Sequence, residues 1–84
     1  MSQLQPLPFG FAIGLVWGAG VLFAGFMAMT GYGAVFVNAL GSVYIGYGAS
    51  VVGAVIGAVW ALIDGFVAGA LIAWVYNRFA SQAA

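Results

Sequence analysis

The stretch Val51–Tyr76, VVGAVIGAVWALIDGFVAGALIAWVY, decides the fold. Across its length it holds one side chain of the charged class, Asp64. At 1.5 Å per residue such a helix reaches about 39 Å, more than the ~30 Å hydrocarbon core of a bilayer. It reads as a transmembrane helix that tilts or projects from the core. Trp74 and Tyr76 stand at its end, where an aromatic belt sits, and Arg78 just beyond can extend its guanidinium to lipid phosphates.

The rest of the 84-residue chain agrees: 67% of its residues are apolar, 2% are charged, and the mean hydropathy is +1.23. Asp64 and Arg78 are the whole charged inventory. A soluble domain carries roughly a quarter charged residues, so this chain cannot build a water-facing shell. It is expected to be a single-domain, all-α membrane protein. The same inventory excludes function classes. One arginine makes no basic patch for nucleic acid. Without cysteine or histidine, the usual ligands for zinc, haem or iron–sulfur clusters are missing, and no cofactor is expected. A single carboxyl with no histidine also falls short of the paired groups that hydrolytic catalysis commonly uses. A non-enzymatic role follows.

Working outward, Phe9–Thr30, FGFAIGLVWGAGVLFAGFMAMT, is a second charge-free run, about 33 Å as a helix. Gly10, Gly14 and Gly18 recur every fourth residue, and Gly25 falls near the same face, the pattern of close helix–helix approach. The preceding Met1–Pro8 reads as a short extended lead-in, because residues before proline avoid the α region. It lacks a positive n-region, so no cleavage as a signal peptide is expected. Residues 77–84 read as a short polar tail. One arginine after the second span places that end in the cytoplasm by the positive-inside rule, and two spans return the N-terminus to the same side.

Between the spans lies 31–50, GYGAVFVNALGSVYIGYGAS. Its interior Ala34–Ile45 fits about three helical turns, too short to cross a bilayer. Asn38 and Ser42 then share a face. A helix at the interface with Tyr32, Tyr44 and Tyr47 at headgroup level fits best, and the runner-up is a re-entrant loop whose free backbone groups are covered by protein or water. Either way the architecture is a two-helix hairpin.

Asp64 is the one charge within a span. Its insertion costs about 2.5–3.5 kcal/mol, which the surrounding Val, Ile, Leu and Phe offset at about 0.3–0.6 each. On a helical wheel Gly53, Gly57, Ala61, Asp64 and Ala68 fall within about 80°, so Asp64 is expected on a small-residue stripe that meets the glycine stripe of the first span or its copy in another protomer. Candidate donors to it are the indoles of Trp17 and Trp60, a nearby hydroxyl, or water. The sequence offers no base at this depth to pair with it. A hydrogen-bonding clasp between helices is favoured over a proton or ion path, since a relay normally needs several titratable groups.

The runs GLVWGAG (14–20), GYGAVFVNALGSVYIGYG (31–48) and GAVIGAVWALIDGFVAGALIAWVYN (53–77) together resemble a family of small prokaryotic two-span membrane proteins often labelled bacteriophage holins. The GYG pair, the Trp60–Asp64–Gly65 spacing and the terminal Trp74, Tyr76 and Asn77 carry that resemblance; the lysine near the N-terminus of many members is missing here. It implies a prokaryotic inner-membrane location and a holin-like, pore-forming role. The expected function is therefore a self-associating structural or pore-forming subunit of a homo-oligomer, packed through its glycine-rich faces. The alternative is an accessory subunit on a large respiratory, photosynthetic or transport complex. Rotary-synthase ring subunits are similar in architecture, with a glycine-rich first helix and a mid-membrane carboxylate on the second. Their connecting loop is polar, and this one is not.

Overall fold

The computed structural model describes residues 3–83, with side chains to Ser81. Among the described residues all regular structure is helical: α1 (Pro6–Ala28), α2 (Ala34–Gly41) and α3 (Val51–Ala83). α1 and α3 are both long and apolar enough to cross a membrane.

Helix α1 starts three residues before the expected Phe9. Pro6 occupies its first turn, where a missing N–H costs nothing and the fixed φ suits the helix, so the prolines open the helix instead of delaying it. Helix α3 likewise runs on past Tyr76, so the expected polar tail is helical as far as Ala83. Its Asn77 amide holds the incoming chain: the Leu4 N–H donates to Asn77 Oδ1 (2.9 Å) and Asn77 Nδ2 donates to the Leu4 carbonyl (2.7 Å).

The two long helices lie side by side and antiparallel, since Gly10 meets Phe66 and Gly69 while Gly25 meets Ala54. Small residues set the spacing. A Cβ on Gly14 would lie 2.8 Å from the Leu62 carbonyl oxygen, and one on Gly65 would lie 2.7 Å from the Gly14 Cα. Backbone therefore touches backbone, and dispersion over that contact substitutes for the interlocked side chains of a larger interface.

The buried line on α3 passes through Gly53, Ala54, Gly57, Ala61, Gly65, Gly69 and Ala73, and it faces the connecting segment at Gly53 and Gly57 and α1 at Gly65 and Gly69. Four-residue steps advance about 40° around a helix each time. By the level of residue 64 the contact has rotated onto Gly65, leaving Asp64 exposed at its edge and Ala68 partly buried. A straight wheel projection assigned both to the contact face because it ignores that rotation.

The connection between the helices folds back along them. After α1, positive φ at Gly31 (95°) and Gly33 (70°) reverses the chain, a conformation that glycine adopts without steric cost. α2 then packs on α1 through Val37, which is fully buried. It ends at Gly41, a turn short of the expected Ile45, and a bend follows. Gly46 (φ 95°) turns the chain toward α3, and Ser50 Oγ accepts the Gly53 N–H to cap α3. The main core cluster, with Val21, Val37, Tyr44, Tyr47 and Ala61, lies where this returning segment meets both long helices.

Candidate functional site

The candidate site forms where the bend of the connecting segment reaches α1 and α3. Three polar side chains meet there. Trp17 Nε1 of α1 donates to the Tyr44 hydroxyl (2.8 Å), and that hydroxyl donates to Asp64 Oδ2 of α3 (2.5 Å). An indole N–H can only donate. It occupies the Tyr44 oxygen from one side and so directs the phenolic proton to the carboxyl. Asp64 is thus an acceptor at Oδ2.

Two further bonds seat the same segment. Tyr47 donates to the Val21 carbonyl (2.7 Å), and Trp60 Nε1 donates to the Ile45 carbonyl (2.9 Å). The Trp60 ring lies parallel to Tyr44, 6.2 Å between centroids and 4° apart in plane. Gly57 makes room for the Tyr47 ring, which a methyl group there would overlap. The bend therefore sits well inside the length of the pair. Trp17 is about 17 Å from the end of α1, and Asp64 about 20 Å from the start of α3, at 1.5 Å per residue.

These positions correct the expected aromatic anchors. Tyr44 and Tyr47 are 4% and 7% exposed, enclosed between the helices, whereas Tyr32 remains 73% exposed near the end of the pair. The physical reason is the fold-back: a tyrosine carried to mid-length buries its ring and needs a partner for its hydroxyl. The predicted donors are rearranged as well. Trp17 reaches Asp64 only through Tyr44, and Trp60 bonds the backbone of Ile45 instead. Tyr44 was the missing member. Its separation of 20 residues from Asp64 follows no helical spacing, so only its chemistry as a hydroxyl donor hinted at the role.

Among the expected packing residues, Gly10, Gly14, Gly18, Gly25, Gly53, Gly57 and Ala61 are buried within the chain. At the far end, Trp74, Tyr76 and Arg78 are exposed on α3, and the Arg78 guanidinium lies over the Trp74 ring at 5.5 Å. Among the described residues no group of His, Cys, Asp or Glu could hold a metal ion.

Beside Asp64 the surface between α1 and α3 opens into a cleft of about 620 Å³, walled by Ile13, Val16, Trp17, Gly20 and Ala68. Apart from the carboxyl, the lining is nearly all apolar. No protein family, curated protein or solved structure was found to match this chain.

Proposed function

We propose that this chain is a non-enzymatic integral membrane protein that crosses the bilayer twice as a hairpin. In this reading segment 31–50 re-enters the membrane between the spans, and the protein works as a structural or holin-like pore-forming subunit of a homo-oligomer. The observation that carries the membrane reading is the outer surface. From Leu7 through Phe23 to Ile63 and Phe79, large apolar side chains face outward along both long helices. Soluble monomers rarely expose contiguous apolar surface on this scale. Re-entry is supported by the Trp60 bond to the Ile45 carbonyl and by the turn bonds of Ser42, Val43, Tyr44 and Tyr47, which cover backbone groups of the bend, the condition for irregular backbone at that depth.

Self-association must use a different surface from the one expected. The glycine faces are consumed inside the chain, so copies would meet through outer faces. Asn38 supports this reading, because its side chain is exposed on α2 and its amide finds no hydrogen-bond partner among the described residues. An amide both donates and accepts, so two copies can satisfy each other. Both termini then share one side, the cytoplasmic one if Arg78 follows the positive-inside rule, and the resemblance implies a prokaryotic inner membrane. The test is alkaline carbonate extraction followed by mass measurement in mild detergent. Retention in the membrane and a discrete homo-oligomer support the proposal. Release from the membrane refutes it, and a monomer recovered with larger subunits favours an accessory role.

A further inference from the structure

We propose that the cleft beside Asp64 is a binding site for lipophilic organic cations. The cleft volume of about 620 Å³ falls within the range of small-molecule sites, roughly 300–1,000 Å³. Asp64 and Trp17 both line it, and Asp64 is an exposed residue. Tyr44 occupies Oδ2 only, so the carboxyl keeps acceptor capacity for a further partner.

Charge selects the ligand class. Arg78 is the only basic side chain in the sequence, and it lies fourteen residues along α3, about 21 Å away. Among the described residues the carboxyl therefore has no cationic side chain as a partner. An anion would be repelled, and an uncharged apolar molecule would cover the carboxyl without pairing it. A bare metal ion needs several oxygen ligands, and the cleft offers one carboxyl among apolar walls. A cation whose charge is wrapped in apolar groups meets each demand. It partitions into lipid, fills apolar walls, pairs with the carboxylate and lies against an aromatic face.

The inference rests on the two-span placement proposed above and is independent of self-association. The test uses the full chain in lipid nanodiscs, with tetraphenylphosphonium as probe and tetraphenylborate as a control of the same shape and opposite charge. Equilibrium dialysis measures both. Saturable phosphonium binding above that of protein-free nanodiscs is expected, with no protein-dependent binding of tetraphenylborate. Asp64→Asn keeps an acceptor for Tyr44 but removes the charge, and should weaken binding roughly tenfold or more. Gly20→Leu supplies a second variant: a Cβ there meets no atom within 4 Å, so the side chain enters open space at the cleft and should block the probe without disturbing helix contact. Absence of binding to the native protein overturns the inference. So does phosphonium binding unchanged in both variants, or equal binding of the two probes. Carbonate extraction of the same protein reads the membrane placement separately, so failure of that reading is recognised on its own.

Discussion

Replacing Tyr44 by Phe removes one oxygen that serves two bonds, from Trp17 and to Asp64. A hydrogen bond between helices within a membrane averages about 0.6 kcal/mol and reaches about 1.7. Two such bonds put the expected loss at roughly 1–2 kcal/mol, with the indole N–H of Trp17 left without an acceptor at the upper end. The ring remains, so its stacking on Trp60 and its apolar burial should survive. Asp64→Leu removes only the acceptor and should cost about 1 kcal/mol, while Asp64→Asn retains an acceptor oxygen and should cost less than half of that. Denaturant unfolding in detergent micelles, followed by tryptophan fluorescence, reads these changes directly because Trp17 and Trp60 flank the site. The decisive quantity is the double-mutant cycle between Tyr44→Phe and Asp64→Leu. A coupling of about 0.5–1 kcal/mol is expected for groups in contact. Strict additivity, or an Asn variant as damaged as the Leu variant, would refute the bonded chain as the element that seats the returning segment.

Other outcomes follow from the packing. Gly65→Ala places a methyl against the Gly14 backbone, which cannot rotate away, and should destabilise the pair by about 1–3 kcal/mol in the same unfolding assay. Gly14→Leu should do more, whereas Leu71→Ile on the exposed side of α3 should fall within about 0.5 kcal/mol of the native protein. Gly57→Leu should expel Tyr47 from its seat, read as faster hydrogen exchange over 42–48 while α1 and α3 stay protected. Asn77→Ala should release the Leu4 backbone, with faster exchange at that amide and little change in global stability.

Much of the helical framework was legible because one strong signal determines it. Long apolar runs punctuated by glycine at four-residue intervals mark the existence of each helix and most of its inner face. The boundaries were less legible. Proline at a helix start and proline in an extended lead-in share the same local geometry preference, and only the Asn77 clamp on Leu4 ties that chain to α3. The face assignment of Asp64 failed for a geometric reason, since contact between crossing helices winds around each axis while a wheel projects straight down it. The site failed at Tyr44 for a topological one. Nothing local distinguishes a tyrosine at a membrane interface from one carried inward by two glycine turns. The paired GYG motifs were visible, but the positive φ at Gly31, Gly33 and Gly46 that gives them their meaning is a property of the folded chain.

The arithmetic at Asp64 also separates what the latch accounts for from what it does not. Placing an aspartate near the centre of a span costs about 2.5–3.5 kcal/mol on the insertion scale. The Tyr44 bond returns about 1 kcal/mol. A carboxyl enclosed by several donors could close the gap, yet Asp64 stands at the rim of the helix contact with a single protein donor. An amide would accept the same Tyr44 proton without the liability of a charge. The latch therefore explains why an acceptor stands at this level of α3, but not why that acceptor is ionisable. What distinguishes a carboxyl from an amide here is its ability to carry charge into an apolar cleft open to the side. That distinction makes the Asp64→Asn variant informative twice over: it should leave the seating of the segment nearly intact while removing cation binding.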